Sequence, residues 1–231
     1  YLLEGRHGIY RIPKNDTFAG RSLFEYGEFS EAEYEIFAEL IEPHMIVGEV
    51  GANIGAHSVS LAKLAKQFIA FEPQPFCFKY LQTNILLNNL DNTKLYQIGL
   101  SNKKSIMYVP HPDNNIDNYG GCTLENIGDI PVQVEQGDSY FGNGLDFLKA
   151  DVEGMELQVL QGLKKVIRKY HPILYLENDR PNNSVELIEY CWSLGYILYW
   201  HLPYLYNKEN YFNSPVNLFP NCVFFAYLKA E

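Results

Sequence analysis

The stretch VGEVGANIG at residues 47–55 decides the fold, because it leads from a short apolar run into a glycine-rich turn. The apolar run from Met45 to Val50 predicts a buried strand, and the apolar spacing after the turn predicts a helix through about Ala65. Glycines between a strand and a helix let the backbone approach a ligand closely. Open α/β sheets bind ligands at this carboxyl end of their strands, so the stretch predicts a ligand site as well as a sheet.

Strands and helices alternate on both sides of this turn, and the alternation predicts a doubly wound, mostly parallel α/β sheet. Two closing runs, Tyr196–His201 and Cys222–Leu228, have no helical pattern between them and predict an antiparallel pair at the end of the sheet. The other predicted elements are a helix capped by Ser30 with Glu33 at the third position, strands at Phe68–Phe71, Lys94–Ile98, Leu145–Ala150 and Ile173–Leu176, and helices over Pro75–Leu90, from Gly154 to about Lys169, and from a cap at Asn183 to Gly195.

Composition and charge narrow the function classes. The chain has 231 residues with 47% hydrophobic residues, which is typical of a globular protein, and its net charge of −10 repels phosphate backbones and anionic lipid headgroups. We therefore expect no nucleic-acid partner. No apolar run approaches the ~18 residues needed to span a bilayer, and no signal-peptide pattern is found, so we also expect no membrane span and a cytoplasmic location. The cysteines form no C-x-x-C pair, which argues against a zinc ribbon and favours free thiols: Cys77, Cys122, Cys191 and Cys222.

Acidic residues near the glycine turn indicate which ligand it binds. The dinucleotide fingerprint G-x-G-x-x-G would need glycine at position 53, where Asn53 stands, so the turn does not favour a pyrophosphate. Glu72 follows Gly51 by 21 residues and ends the second strand, where a carboxylate can accept both ribose hydroxyls. Glu49 adds a negative charge beside the turn. A cationic nucleoside such as S-adenosylmethionine (SAM) suits this arrangement.

A second group of acids follows two later strands. Asp151 ends one predicted strand, Glu153 comes two residues later, and Glu177 ends the next strand. A cap at Asp151 and a helix-dipole partner at Glu153 are the simpler interpretations. Adjacent strand ends would nevertheless present these carboxylates to one point, as a general base or a divalent cation requires.

Taken together, these motifs resemble the FkbM-type SAM-dependent methyltransferases from about Phe29 to Trp200. The D-V-E-G segment followed by a strand that ends in Glu is the most diagnostic part. The resemblance rests on EVGANIG (49–55), FEPQP (71–75) with Asn84 and Asn88, LDFLKADVEGME (145–156), LQG (160–162), PILYLE (172–177) and LGY (194–196).

This resemblance implies a class I methyltransferase (Rossmann-like) fold, with a mostly parallel seven-stranded sheet, an antiparallel last strand and a small β-rich insertion. It implies that the turn lines the methionine part of SAM, that Glu72 holds the ribose, and that the loop after the third strand borders the adenine. The expected cofactor-binding residues are Glu49, Gly51, Ala52, Asn53, Gly55, His57, Glu72, Pro73, Gly99 and Leu100. Glu49 stands where the family more often has Asp, and Gly99 where Ala is commoner.

We expect a single domain over residues 1–231. Its parts are an N-terminal extension and helix (1–43), a SAM-binding core (44–100), the insertion (101–144) and a catalytic half (145–231). The Asn-, Asp- and Gly-rich residues of the insertion predict short strands and turns.

The resemblance implies methylation of a hydroxyl of a small molecule or sugar by in-line displacement. Our hypothesis makes Asp151 or Glu153 the base and gives Glu177 an orienting role, with His57 and His201 as rival bases. Asp151, Glu177 and Asn178 are also similar to the metal triad of catechol-type O-methyltransferases, so Mg²⁺ or Ca²⁺ is a second possibility.

The acceptor is the least determined part of the site. Exposed aromatic rings at Tyr204 and Tyr206 could stack on a sugar, and Asn118, Gly120 and Gly121 of the insertion could form the opposite wall. Two other classes stay open, namely a non-catalytic SAM-fold binding or scaffold protein and a Rossmann NAD-dependent oxidoreductase. Loss of the strand-end acids would favour the first, and NAD binding would favour the second.

Overall fold

The fold is taken from a computed structural model, which describes residues 1–111, 118–220 and 227–230. The strands in these residues are β1 (Leu2–Gly5), β2 (Gly8–Arg11), β3 (Ile46–Val50), β4 (Gln67–Phe71), β5 (Thr93–Tyr96), β6 (Gly99–Leu100), β7 (Ser105–Val109), β8 (Ile130–Glu135), β9 (Phe147–Ala150), β10 (Ile173–Glu177), β11 (Leu198–His201) and β12 (Tyr227–Ala230). The helices are α1 (Ala19–Tyr26), α2 (Glu31–Leu40), α3 (Ser58–Leu64), α4 (Pro75–Leu87), α5 (Glu156–Gly162), α6 (Lys164–Tyr170) and α7 (Pro181–Ser193), with a short 3₁₀ helix at Gly137–Ser139.

The central sheet has the strand order β11-β12-β10-β9-β3-β4-β5. Five strands, β10, β9, β3, β4 and β5, are parallel to one another. Strand β12 is antiparallel to both β10 and β11. The mostly parallel α/β sheet and the closing antiparallel pair are therefore confirmed. Within the predicted run Cys222–Leu228, residues 222–226 lie outside the described residues, and β12 begins at Tyr227.

Two apolar clusters cover the two faces of this sheet, because successive strand residues point to opposite sides. On one face Val50 and Leu148 pack with residues of α5, α6 and α7. On the other face Val47 and Phe147 pack with residues of α2, α3 and α4. Helices on both faces leave the carboxyl ends of the strands as an open edge, where ligands can enter.

The insertion contributes β7 and β8 to a separate small sheet in the order β6-β8-β7, which confirms that this region is β-rich. Residues 112–117 of the insertion lie outside the described residues. Because β6 begins at Gly99, the small sheet connects directly to the loop that follows β5.

The N-terminal residues contain a hairpin, β1–β2, and the helix α1, none of which was predicted. Asn84 and Asn88 of α4 attach the hairpin to the core. Asn84 Oδ1 accepts from the Arg11 amide at 2.6 Å, and Asn88 Oδ1 accepts from the Ile9 amide at 2.9 Å. The two asparagines therefore satisfy the backbone groups of the β2 edge.

Two predicted helix caps are wrong. Ser30 precedes α2 but has a left-handed backbone, and its hydroxyl makes no capping hydrogen bond, so the capping box with Glu33 does not form. Asn183 lies inside α7, which begins at Pro181, and its amide donates instead to the Gly154 carbonyl at 3.0 Å. The helix predicted from Gly154 to about Lys169 is divided at Leu163 into α5 and α6.

The cysteines agree with the sequence-based expectation of free thiols as far as the structure describes the chain. Cys77, Cys122 and Cys191 are free thiols, and Cys77 and Cys191 are buried. Cys222 lies outside the described residues. No helix in the described part of the chain is both long and apolar enough to cross a bilayer.

Candidate active site

A cavity of about 340 Å³ opens at the carboxyl ends of β3, β4, β9 and β10. Ligand pockets in proteins range from about 300 to 1,000 Å³, so the cavity is large enough for a small molecule. Most of the residues expected to bind the cofactor line it: Glu49, Gly51, Ala52, Asn53, His57, Glu72, Pro73, Gly99 and Leu100. Gly55 does not line it.

The glycine turn after β3 takes a conformation that few other residues adopt. Gly51 has a φ of 85°, and a Cβ there would overlap the carbonyl oxygen of Asp151. Gly55 has a φ of 83°, and Asn53 also has a positive φ, which asparagine tolerates better than most residues. Gly55 thus shapes the turn rather than touching the cavity.

Glu72 at the end of β4 is bound to this turn. It is buried, and its two oxygens accept from the amides of Asn53 at 2.7 Å and Gln74 at 2.8 Å. Burial nevertheless raises the pKa of Glu72 to about 7, because desolvation outweighs the two hydrogen bonds. Each oxygen keeps a further lone pair for a ligand hydroxyl.

Glu49 on β3 is buried beside the turn and has two polar neighbours. Its carboxylate accepts from the Ser58 hydroxyl at 2.5 Å and lies 4.0 Å from the Lys149 ammonium. Burial raises the pKa of Glu49 to about 7, and Lys149 and Ser58 oppose that shift. Burial alone would lower the pKa of Lys149, but Asp151 and Glu49 raise it, so this lysine is a buried cation.

Glu49 and Glu72 lie at the half of the cavity formed by the ends of β3 and β4 (the β3–β4 half). Three carboxylates meet at the half formed by the ends of β9 and β10 (the β9–β10 half). One oxygen from each of Asp151, Glu153 and Glu177 lies within 4.8 Å of the others. Asp151 is 3.1 Å from the Lys149 ammonium, and Glu153, with a φ of 56°, is paired with Arg180. The sequence-based prediction that these acids converge is confirmed.

Glu177 differs from its neighbours, because neither of its oxygens has a hydrogen-bond partner among the described residues. Its side chain is 1% exposed. Burial, followed by Asp151 and Glu153, raises the pKa of Glu177 far above its ordinary value. Burial also raises the pKa of Glu153 to about 7, with Asp151 as the second cause. Like charges that lie this close cannot all ionise freely.

Asn178 is not part of this cluster. Its amide donates to the Ser184 hydroxyl at 2.9 Å, and its side chain faces a smaller cavity of about 50 Å³ beside α7. Successive strand residues point to opposite faces, so Asn178 cannot join Glu177. Asn178 therefore does not lie with Asp151 and Glu177 as the predicted ligand set requires, whereas Glu153 does lie beside them.

The two histidines occupy different positions. His57 lines the cavity and packs between Phe29 and Phe37, with ring centroids 4.9 and 5.4 Å away. Burial, with Lys149 second, lowers the pKa of His57 well below its ordinary value, so the ring is neutral. His201 does not line the cavity, and its Nδ1 lies 2.8 Å from the Tyr175 hydroxyl.

Of the two walls predicted for the acceptor, one lines the cavity and the other does not. Asn118, Gly120 and Gly121 line the cavity. Tyr204 is 65% exposed and Tyr206 packs against Tyr26, with ring centroids 5.5 Å apart, and neither tyrosine lines the cavity. Leu205, between them, is buried and does line it.

Sequence reasoning missed several residues that line the cavity. Phe18 and Phe29 come from N-terminal segments that carried no functional motif, Glu33 was predicted only as part of a helix cap, and Leu124 comes from the insertion. Lys149 and Arg180 had a detectable signal, because Lys149 lies two residues before Asp151 and Arg180 three residues after Glu177.

Comparison with known proteins agrees with this geometry. The Methyltransferase FkbM domain matches residues 49–198, which contain both halves of the cavity. The chain belongs to the FkbM methyltransferase family. It is 31% identical over 202 residues to Methyltransferase sdnD from Sordaria araneosa, a match that covers 70% of this chain and 75% of that protein.

Two further similarities differ in what they show. The chain is 28% identical over 145 residues to the Hexuronic acid methyltransferase AglP from Haloferax volcanii, which covers 60% of this chain and 58% of that protein. The crystal structure of Methyltransferase FkbM from Methylobacillus flagellatus KT superimposes with a TM-score of 0.58 at 16% identity, over 96% of this chain and 56% of that one. At that identity the superposition establishes the methyltransferase-like α/β fold alone.

Proposed function

We propose that the protein is a SAM-dependent O-methyltransferase that transfers a methyl group to a hydroxyl of a small molecule or sugar. The observation that carries the proposal is the position of Glu72. A buried carboxylate fixed to the glycine turn by the Asn53 amide opens into the same cavity as three convergent acids. A nucleoside and a hydroxyl acceptor can therefore lie side by side.

The residues of the cavity suit SAM better than a dinucleotide. Its acids outnumber its basic residues, which favours a cationic ligand over a pyrophosphate. The acids that line it are Glu33, Glu49, Glu72, Asp151, Glu153, Glu177 and Asp179, against Lys149 and Arg180. Asn53 Oδ1 is buried without a hydrogen-bond partner among the described residues and can accept from a ligand. Pro73, Leu100 and Leu124 form an apolar wall for the adenine.

When SAM is bound, its sulfonium supplies the methyl group. Glu72 accepts the ribose hydroxyls, and Glu49 lies beside the turn as the anionic partner for the methionine amine. The turn from Gly51 to Asn53 brings backbone close to the methionine part. Methyl transfer breaks the carbon–sulfur bond and forms a carbon–oxygen bond, so the chain must align the acceptor and remove the proton of its hydroxyl.

We assign proton removal to Asp151 or Glu153. Both line the cavity at its β9–β10 half, opposite Glu72, and both are half-buried, so an acceptor can reach them. His57 packs between two phenylalanines and is assigned a positioning role, whereas His201 lies away from the cavity. The acceptor lies against Asn118, Gly120 and Gly121, which are well suited to hydrogen-bond a sugar.

A sugar acceptor has one further argument in its favour. The name of the Haloferax volcanii relative specifies a hexuronic acid, and this chain spans 58% of that protein's length. The net charge of −10 argues against a long nucleic acid as the acceptor.

The first experiment measures calorimetric binding of SAM, S-adenosylhomocysteine and NAD to the purified protein. We expect both sulfur nucleosides to bind and NAD not to bind. Glu72→Gln should weaken the binding of SAM and of S-adenosylhomocysteine. Glu39→Gln, on the exposed side of α2, is the matched control and should leave the binding of both unchanged. Binding of NAD alone would overturn the proposal in favour of an oxidoreductase.

A second experiment measures the transfer of labelled methyl from SAM to monosaccharides and uronic acids. Asp151→Asn and Glu153→Gln should each lower turnover while SAM binding persists. Turnover that is unchanged in both variants would refute the assignment of the base. Intact SAM binding without transfer to any hydroxyl acceptor would support a binding or scaffold protein instead.

A further inference from the structure

The three acids at the β9–β10 half of the cavity have the geometry of a cation site. Asp151 follows β9, Glu153 lies in the next turn, and Glu177 ends β10, yet one oxygen from each falls within 4.8 Å of the others. Oxygen ligands lie about 2.3 to 2.6 Å from Ca²⁺ and about 2.0 to 2.1 Å from Mg²⁺, so two of them can be at most about 5 Å apart around Ca²⁺ and about 4 Å apart around Mg²⁺. The observed spacing fits Ca²⁺ directly, and Mg²⁺ requires the three oxygens to move closer together.

The environment of Glu177 supplies an independent reason for a ligand at this point. The side chain is 1% exposed, and both of its oxygens lie without a hydrogen-bond partner among the described residues. Lys149 faces Asp151, and Arg180 pairs with Glu153 and Asp179, whereas no ion pair to Glu177 is found in the described part of the chain. A buried carboxylate that lacks such partners is costly, and a cation between the three acids would remove that cost.

We infer that Asp151, Glu153 and Glu177 bind a divalent cation that prefers oxygen ligands, of the class of Mg²⁺, Mn²⁺ or Ca²⁺. Carboxylates alone, with neither thiol nor imidazole in the group, favour these hard ions over Zn²⁺. Three protein ligands leave other coordination positions for water and for an acceptor.

The consequence for the reaction depends on the proposed function. A cation at this site would bind the acceptor hydroxyl through its oxygen and lower the pKa of that hydroxyl, so that the free oxygen of Asp151 or Glu153 accepts its proton more readily as the methyl group is transferred. Open neighbouring positions favour an acceptor with a second oxygen beside the reacting hydroxyl, as in the vicinal diols of sugars. Such an ion would also lessen the repulsion between an acidic sugar and the carboxylates of the cavity.

The test measures ion binding without reference to activity. The full chain is first treated with a chelator and then titrated with Mn²⁺, while electron paramagnetic resonance monitors the signal of the free ion. We expect about one Mn²⁺ per chain at concentrations below about 1 mM, with release by excess Mg²⁺ or Ca²⁺. Absence of binding in that range would overturn the inference.

Matched variants locate the ion. Glu177→Gln and Asp151→Asn keep the side-chain shape and should each weaken Mn²⁺ binding at least about tenfold. Glu189→Gln, on the exposed face of α7, should leave it unchanged. Binding that survives both site variants would place the ion elsewhere. Circular dichroism of each variant verifies folding, and if one variant fails to fold, the other carries the test.

Calorimetry with SAM separates this inference from the proposed function. Mn²⁺ binding without SAM binding would retain the cation site and overturn the methyltransferase proposal for this chain. SAM binding without Mn²⁺ binding would retain the methyltransferase proposal and overturn the cation site.

Discussion

The two halves of the cavity surround their buried carboxylates in opposite ways. At the β3–β4 half, Glu72 accepts from two backbone amides and Glu49 accepts from Ser58. At the β9–β10 half, Glu177 has no hydrogen-bond donor among the described residues and faces Asp151 and Glu153. Donors fixed by the backbone hold a carboxylate in place for one ligand. Acids that face one another instead require a proton, a cation or a substrate between them. The first half is thus preorganised, and the second is completed by what binds there.

The largest loss of stability is expected at Gly51, where the two halves of the cavity touch. Gly51→Ala should lower the free energy of unfolding by about 3 kcal/mol or more, because the residue has a φ of 85° and a Cβ would overlap the Asp151 carbonyl. Chemical denaturation monitored by circular dichroism measures this change. Gly142→Ala is the control, since a Cβ there meets no atom within 4 Å. Equal stability of the two variants would show that the halves are less tightly joined than the structure indicates.

Glu72→Gln should weaken SAM binding by about tenfold to a hundredfold and lower the stability by about 1–2 kcal/mol. An amide at this position can accept from only one of the Asn53 and Gln74 amides, so the other loses its acceptor. Calorimetry and denaturation measure the two effects. If affinity fell without any loss of stability, Glu72 would bind the ligand without ordering the turn.

The β3–β4 half should also respond to pH. Burial raises the pKa of Glu49 and Glu72 to about 7, so folding disfavours their ionised forms and stability falls as pH rises from about 5 to 7. A cationic ligand favours the ionised forms. SAM should therefore bind more tightly at pH 8 than at pH 6, by up to about tenfold for each of the two groups, and release protons on binding. Titrations in buffers of different ionisation enthalpy measure this release, and affinity independent of pH would contradict the expectation.

The same amide substitution should act differently at the β9–β10 half. Glu177→Gln should leave the chelator-treated protein as stable as the wild type or up to about 1 kcal/mol more stable, because the new amide can donate to Asp151 or Glu153. Thermal unfolding measures the change. A loss of stability comparable to that of Glu72→Gln would remove the contrast between the halves.

The smallest effect is expected at Tyr204. This ring is 65% exposed and does not line the cavity, so Tyr204→Ala should change kcat/KM for any acceptor less than about twofold. Steady-state kinetics of methyl transfer measure this change in kcat/KM. A large rise in KM would mean that the acceptor extends beyond the described cavity and onto this loop.

The comparison also shows how far sequence reasoning extends. Glu72 could be located because the second strand ends at a fixed distance from a recognisable turn, and Asp151 and Glu177 because parallel strands end at one edge. The sequence could not locate three other residues of the cavity, Phe18, Phe29 and Leu205. Their place depends on how N-terminal and C-terminal segments pack over the sheet. Asn178 was misplaced because it directly follows Glu177, and successive strand residues project to opposite faces of the sheet.

The sequence by itself determined the mostly parallel sheet, the glycine turn and the acids at the strand ends, because strand periodicity and glycine conformation are local properties. Only the tertiary structure decided which carboxylates have partners. Donors to Glu72 come from the neighbouring turn, and the lack of donors to Glu177 depends on the side chains that β9, β10 and α7 bring around it. Desolvation and charge proximity are properties of the packed molecule, and they distinguish the carboxylate held by backbone donors from the candidate cation site.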